Sequence, residues 1–219
     1  MASSSSNLTT SIHSLTEMIK LVQIKLDRNN YLYWRTLMSP ILKGHGVFGY
    51  VDPMNPIPIP PTETLDSATN NPVPNPDYKE WRRLDAIILS CIYATVTEPV
   101  LAQLIGLETA RETWNYLETS YFNENSARVP ELRQQLQTLQ KENLSMDEYW
   151  LKIKGITNVL DFVRQSLSDR DLIISTLRGL GPEYQSFVTG IMARPNLPSF
   201  YELRAFLLAE EIRLNFLPL

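Results

Sequence analysis

The chain has 219 residues, of which 43% are hydrophobic and 20% are charged, and its formal net charge is −4 at pH 7. This composition predicts folded domains and argues against general disorder and against a domain that holds nucleic acid mainly through phosphate contacts, which is usually basic. The single cysteine, Cys91, excludes an intramolecular disulfide and suits a reducing compartment such as the cytoplasm, and the longest mostly apolar run, residues 86–96, is too short to cross a membrane.

The amino terminus is rich in serine and is expected to form a disordered tail over residues 1–18. It has neither the basic nor the apolar segment of a secretory signal. After a strand or extended segment, a first helix is expected, which Pro40 should kink or shorten. Its apolar residues recur at helical spacing: Tyr31, Trp34, Leu37, Met38 and Ile41.

Residues 52–76 are rich in proline and are expected to form a long loop, partly of polyproline type. A proline-rich ligand for a groove on another protein is the alternative interpretation. Asn75 and Pro76 then suit the cap and first position of a strong helix. Further helices are expected after Thr97 and Thr109. The stripe of the strong helix is Trp81, Leu84, Ile88 and Cys91.

The segment FNENSAR, residues 122–128, interrupts the helical pattern and is predicted to be the domain boundary and a flexible joint. The chain after it reads as a series of short amphipathic helices. Ser168 should cap one of them, and Gly179 should end it. Three pairs of a hydroxyl residue and a glutamate have the spacing of a capping box: Thr109 with Glu112, Ser145 with Glu148, and Ser199 with Glu202.

The sequence contains no motif of a catalytic or cofactor site. There is no phosphate-binding G-x-x-x-x-G-K-[ST], no dinucleotide-binding G-x-G-x-x-G after a strand, and no G-x-S-x-G. His13, His45 and Cys91 are far apart and do not form a zinc-ligand set. The sequence therefore predicts no enzyme activity, no cofactor and no metal.

Basic residues are densest at Arg82–Arg83 and at Lys152 and Lys154, which we interpret as solvated helix faces. Binding of single-stranded nucleic acid would also need exposed aromatic side chains among these charges. The tryptophans instead lie on apolar stripes, so a core position is the better interpretation. The predicted core residues are Trp34, Trp81, Trp114, Leu136, Ile153 and Phe206.

Several segments, in their order along the chain, resemble the Gag polyprotein of copia-type long-terminal-repeat retrotransposons. The likeness covers roughly residues 20–215 and is carried by the order of the pieces more than by any one of them. The segments are KLDRNNYLYWRTLMSPILKGHGVFGYVD, NPDYKEWRRLDAIILSCI, TARETWNYLETSYFNENSAR, ELRQQLQTLQKENLSMDEYWLKIKGITNVL, LIISTLRGLGPEYQSFVTGI and PSFYELRAFLLAEEIRL.

This resemblance implies an all-α, two-lobed capsid fold, with an amino-terminal lobe over residues 19–122 and a carboxy-terminal lobe over residues 123–219. It also implies that Gln140, Tyr149 and Lys152 occupy the positions of the glutamine, aromatic and basic residues of the major homology region of retroviral capsids. Lys141 departs from that pattern, which usually has glycine after the glutamine. These residues are expected to be structural.

The function that the resemblance implies is a structural capsid protein whose copies form pentamers and hexamers and enclose the RNA of the element. The partner is then the chain itself, with RNA bound by full-length Gag and only weakly by this chain, because the usual zinc knuckle is missing. The alternative is a domesticated Gag-derived adaptor or regulator that binds other proteins without forming a shell.

Overall fold

Helices make up most of the described part of the chain, which is residues 15, 17, 19, 20 and 22–216 of the computed structural model. Two 3₁₀ turns and one short hairpin complete the regular structure there. From Tyr31 onward the α-helices are α1 (Tyr31–Gly44), α2 (Pro76–Ala94), α3 (Glu98–Gln103), α4 (Ala110–Ala127), α5 (Val129–Thr138), α6 (Met146–Phe162), α7 (Asp169–Arg178), α8 (Gln185–Met192) and α9 (Phe200–Asn215).

The amino-terminal prediction is wrong at its inner end. Leu15 lies within the predicted disordered tail, yet it is helical and only 1% exposed. Ile19 is also helical and buried. The predicted tail therefore cannot extend to residue 18, whereas residues 1–14 lie outside the described part of the chain.

Five of the predicted helix starts are confirmed by hydrogen bonds of their caps, whereas Thr97 makes no side-chain cap bond at the start of α3. In both serine capping boxes the serine hydroxyl accepts from the glutamate backbone N–H, and the glutamate accepts from the serine N–H. Thr109 and Glu112 make the same reciprocal pair at 3.1 and 3.2 Å. Asn75 and Ser168 accept from the backbone of Asp77 and Asp171. Local capping chemistry thus fixes where these helices begin.

The first helix differs from its predicted stripe at Leu37 and at Ile41, which is only partly buried while Leu42 is buried in its place. Tyr31, Trp34, Met38 and Leu42 are buried, whereas Leu37 is 41% exposed. The spacing of 3, 4 and 4 residues turns the buried face past Leu37. Pro40 lies inside α1 without ending it, since the helix continues to Gly44.

The proline-rich segment contains a hairpin that the sequence did not predict. Strand β1 (Glu63–Leu65) pairs antiparallel with β2 (Pro72–Pro74). The Asp66 carboxylate closes the turn by accepting from the Ala68 and Thr69 backbones. Local turn chemistry therefore gives order to a segment whose prolines suggested only a loop.

The predicted break at FNENSAR is wrong, because α4 runs without interruption from Ala110 to Ala127. The segment contains neither glycine nor proline, and a run of polar residues alone does not end a helix. The predicted flexible joint at Phe122–Ser126 therefore lies within a regular helix. The chain itself divides into two compact units between Tyr121 and Phe122.

The first unit has an aromatic core. The rings of Trp34 and Trp114 lie 5.2 Å apart, and the Trp34 indole N–H donates to the Thr95 hydroxyl at 3.0 Å. Leu26 joins this core through a parallel bridge to Val96, where its N–H donates to the Thr95 carbonyl at 2.8 Å. The extended segment expected near Leu26 thus forms one bridge with Val96, two residues beyond the end of α2.

The second unit packs α5 to α9 around a core of its own. The rings of Trp150 on α6 and Phe200 on α9 stack with centroids 4.3 Å apart. Buried side chains from every helix of this unit contribute. They include Leu136, Met146, Tyr149, Ile153, Leu172, Ile173, Leu177, Ile191, Leu203 and Leu207.

Candidate functional site

The described residues contain no group of three or more histidine, cysteine, aspartate or glutamate side chains that could hold a metal. The second unit has surface cavities, of which one of about 510 Å³ is lined by Asp169, Arg170, Arg194 and neighbouring apolar residues. The Asp169 carboxylate already accepts from the Phe200 backbone N–H at 3.2 Å. The lining also includes Asn196 and Ser199, and the Ser199 hydroxyl accepts from the Glu202 N–H at the start of α9, so the Asp169 and Ser199 oxygens are both engaged at one helix start.

A buried polar cluster in the second unit is the most developed arrangement of chemical groups there. It consists of Lys141, Tyr149, Gly179, Tyr184 and Glu211, and we call it the Lys141 cluster. Lys141 follows α5, Tyr149 lies on α6, Gly179 follows α7, and Glu211 lies on α9. Four helices of the unit therefore meet at these side chains.

The segment between α5 and α6 is fixed against the end of α7. The Lys141 backbone N–H donates to the Gly179 carbonyl at 2.7 Å. The Tyr149 hydroxyl donates to the Thr176 carbonyl at 2.9 Å. A Cβ at Gly179 would overlap the Tyr149 hydroxyl and the Leu139 carbonyl. The glycine is thus required by the close approach of the tyrosine and not only as a helix end.

Charge in the cluster is paired. The Lys141 ammonium is 3.5 Å from a Glu211 carboxylate oxygen and 5.4 Å from the centroid of the Tyr184 ring. The same Glu211 oxygen accepts from the Met146 backbone N–H at 2.8 Å, so α9 helps to cap α6. Since a buried charge is costly unless it is paired, these contacts hold Lys141 in place.

The tyrosines of the cluster are held in their protonated form at neutral pH. Burial, followed by the nearby Glu211, Glu183 and Glu210 carboxylates, raises the pKa of Tyr184 to about 12. Burial alone raises the pKa of Tyr149. Both phenols therefore remain protonated; Tyr149 donates to the Thr176 carbonyl, and the Tyr184 ring packs beside the Lys141 ammonium. The chemistry of the cluster is to join helices.

Of the three residues assigned to the major-homology pattern, only Tyr149 lies in the Lys141 cluster. Tyr149 is 1% exposed within the cluster. The side chains of Gln140 and Lys152 are exposed; after the hydrogen bonds from Ser145, the charge of Lys152 also lowers the pKa of the Glu148 carboxyl in the first turn of α6. The expected network around Gln140 and Lys152 stays a prediction, and Lys141, which departs from the pattern, is the buried residue of this segment.

Glu211 was missed in the sequence although a clue is present. Phe200, Leu203 and Leu207 form the buried stripe of α9, and Glu211 continues it at a spacing of four residues. A carboxylate on an apolar stripe predicts a buried cation or a backbone donor as its partner. The partners, Lys141 and Met146, lie more than sixty residues away and are not readable from this pattern.

The core predictions hold except for one residue that is only partly buried. Trp34, Trp81 and Trp114 are at most 6% exposed, and Leu136 and Ile153 at most 2%. Phe206 is half-buried and packs at the edge of the second core, where the Arg194 guanidinium lies 4.6 Å from its ring centroid.

The predicted basic spots lie at the surface. Arg83 is exposed and makes a two-point hydrogen bond to Glu80 on the same helix. Lys154 is half-buried, and its ammonium lies 5.4 Å from the Tyr201 ring centroid. His45 contacts the Ile41 carbonyl in the turn after α1, at 2.7 Å. The Arg83 and His45 contacts are local, whereas the Lys154 contact joins α6 to α9.

The first unit contains a related cross-helix contact. The Asp85 carboxylate on α2 accepts from the Ala110 backbone N–H, the first residue of α4, at 3.1 Å. Asp85 is 2% exposed. Burial raises the pKa of its carboxyl, while the Ala110 N–H and the cations of Arg82 and Arg111 act in the opposite direction. This carboxylate stabilises the start of α4.

No helix within the described residues combines the length and the apolar character needed to cross a membrane.

Comparison with known proteins identifies relatives. Residues 38–216 match the family described as the gag polypeptide of LTR copia-type. The chain is 27% identical over 190 residues to the Retrovirus-related Pol polyprotein from transposon RE1 of Arabidopsis thaliana, covering 87% of this chain and 13% of that protein. It is 33% identical over 109 residues to the corresponding RE2 polyprotein, covering 50% of this chain and 7% of RE2. No solved structure matches it.

Proposed function

Because the chain belongs to the gag polypeptide family of copia-type LTR retrotransposons, we propose that its copies assemble into a capsid-like particle that encloses the RNA of the element. The family match over residues 38–216 is the observation that carries this proposal. The chain spans only 13% of the RE1 polyprotein, so we propose no catalytic activity for this region.

Two separately packed helical units support an assembly role. A particle repeats a modest contact many times, so each folded unit needs a stable core and an outer surface that can contact copies of the chain. We propose that α1 and α2 line pentameric and hexameric rings and that the second unit joins one ring to another.

Exposed apolar side chains on α1 support its place in such a contact. Tyr33 is 61% exposed and Leu37 is 41% exposed, and they lie four residues apart on one face of the helix. Apolar surface that remains exposed in a single chain is suited to burial in an assembly.

RNA binding by this region alone is proposed to be weak. The residues before and after position 123 carry 9 and 11 basic residues against 12 and 12 acidic ones, which gives net charges of −3 and −1. Neither part has the excess of positive charge that phosphate contacts require. We propose that the assembly forms in the cytoplasm.

Assembly can be tested with the purified chain. We expect sedimentation velocity and negative-stain microscopy at rising protein and salt concentration to show rings or shells, also after nuclease treatment. The double variant Tyr33→Ala/Leu37→Ala should weaken assembly, whereas Met54→Ala should not, although Met54 is 83% exposed. A chain that stays monomeric or dimeric under all conditions would contradict the capsid proposal and favour an adaptor.

A further inference from the structure

Gly155 has no explanation within the single chain. It lies in the middle of α6 (Met146–Phe162), where glycine is a poor helix former. A Cβ added there would meet no atom within 4 Å, so no neighbouring element of the chain requires a glycine. This contrasts with Gly179, where a Cβ would overlap Tyr149. The open space above Gly155 points outward from the chain.

The same outward face of α6 carries a large exposed apolar side chain. Glu148, Leu151, Lys152 and Gly155 follow one another at spacings of three, one and three residues and share one side of the helix. Leu151 is 68% exposed. A bulky apolar residue one turn from a bare glycine gives a knob beside a hollow on a single helix.

We propose that α6 is a homotypic contact in which two copies of the chain pair antiparallel about a two-fold axis beside Leu151. This inference rests on the proposed assembly and names the surface that one of its contacts uses. The two copies of Leu151 meet at the axis. Each Gly155 lies below the first turn of the partner helix and allows the two backbones to approach closely.

Charge along α6 is complementary to itself in this orientation. Its first turn is acidic, with Asp147 and Glu148, and Lys152 and Lys154 follow beyond Leu151. Reversing one helix about Leu151 places Glu148 of each copy opposite Lys154 of the other, while Asp147 keeps its ion pair with Arg204 of its own chain. A parallel arrangement would instead place like charges side by side. This charge pattern favours a second copy of the chain, in the antiparallel orientation, as the partner of α6.

Glycine variants test the close approach, because α8 offers a matched control. Gly190 is exposed in α8, and a Cβ there also meets nothing within 4 Å. Gly155→Leu and Gly190→Leu should therefore both leave the single chain folded. We expect Gly155→Leu to raise the dissociation constant of self-association by about tenfold or more, and Gly190→Leu to leave it unchanged, as measured by sedimentation equilibrium.

Cross-linking tests the two-fold axis. Residues at such an axis approach their own copies closely enough for a disulfide, which needs Cβ atoms about 4 Å apart. Leu151→Cys should cross-link rapidly under mild oxidation in the full chain. Ile212→Cys is the control, being 58% exposed on α9. The native Cys91 is buried, which raises the pKa of its thiol to about 11, so it should not compete.

The outcomes separate this inference from the proposed function. A wild-type chain that never self-associates overturns both. If the wild type assembles while Gly155→Leu behaves like Gly190→Leu, the α6 contact is wrong and assembly stands. If Leu151→Cys cross-links no faster than Ile212→Cys, the two-fold geometry is wrong. Selective loss in Gly155→Leu together with selective cross-linking at residue 151 supports the proposal.

Discussion

The two units of the chain stabilise a helix start with the same kind of hydrogen bond in different electrostatic surroundings. In the first unit the Asp85 carboxylate accepts from the Ala110 N–H and, within the described residues, makes no ion pair. In the second, the Glu211 carboxylate accepts from the Met146 N–H and lies 3.5 Å from the Lys141 ammonium.

The first unit therefore has a buried carboxylate without an ion pair, and the second unit has a carboxylate paired with a buried lysine. Burial raises the pKa of the Asp85 carboxyl, which means that the first unit stabilises the charged form less than water does. The second unit surrounds its carboxylate with a cation and a backbone donor, so that each group depends on the other. Removing one partner from such a pair is costly because the other remains buried.

The largest expected effect is a loss of stability in the second unit alone. In Gly179→Ala the added methyl overlaps the Tyr149 hydroxyl and the Leu139 carbonyl, so we expect the second unit to lose about 2–4 kcal/mol of unfolding free energy. Hydrogen exchange of second-unit amides at rising denaturant concentration measures the loss in this unit.

Gly155→Ala is the matched control for this prediction. Its added methyl meets no neighbour, and alanine favours the helix, so the second unit should gain about 0.5–1 kcal/mol. Equal stability of the Gly179→Ala and wild-type chains would show that Tyr149 does not need the space at Gly179.

A smaller effect is expected from the paired charge. Lys141→Met leaves Glu211 without its cation, and we expect the second unit to lose about 1–3 kcal/mol. Lys152→Met is the control because Lys152 is exposed, and a change within about 0.5 kcal/mol is expected. The same hydrogen-exchange measurement of second-unit amides compares both variants. Equal losses in the two variants would contradict the assignment of the buried network to Lys141.

The smallest expected effect is a change in pH dependence in the first unit. With the pKa of Asp85 raised above the ordinary 3.8, the folded chain binds more protons than the unfolded chain in the window just above that value. Asp85 therefore makes the first unit more stable as the pH falls through this window. Asp85→Asn removes that contribution while an amide oxygen can still accept from Ala110.

Hydrogen exchange of first-unit amides, measured at several pH values, tests this prediction. The difference in protection between wild type and Asp85→Asn should grow in favour of the wild type on acidification from neutral pH. The second unit is the internal control and should respond equally in both chains. A difference that is constant with pH would mean that Asp85 keeps an ordinary pKa.

Helix starts and core stripes were predictable because they depend on neighbours in sequence. Ser145 and Glu148 reach each other across one helical turn whatever the rest of the chain does. The burial of Trp34 and Ile153 likewise follows from helical periodicity. The helix was predicted to end at FNENSAR because the segment is polar. It continues to Ala127, since no residue in the segment prevents a helix.

The buried partners in the candidate site were not predictable, for a different reason. A pattern of glutamine, aromatic and lysine placed Gln140 and Lys152 in a network, but position in a motif does not decide which side chain points inward. The structure buries Lys141 because Glu211 lies within 3.5 Å of it, and that distance follows from the packing of α9 against α6.

The sequence by itself determined the mostly helical class, the beginnings of the helices, most of the core and the family, since these depend on local hydrogen bonds, periodicity and the order of segments. Only the tertiary structure decided which charges are buried and paired. Asp85 with Ala110 and Lys141 with Glu211 join residues that are 25 and 70 positions apart. Such contacts depend on how whole helices pack, which no local pattern specifies.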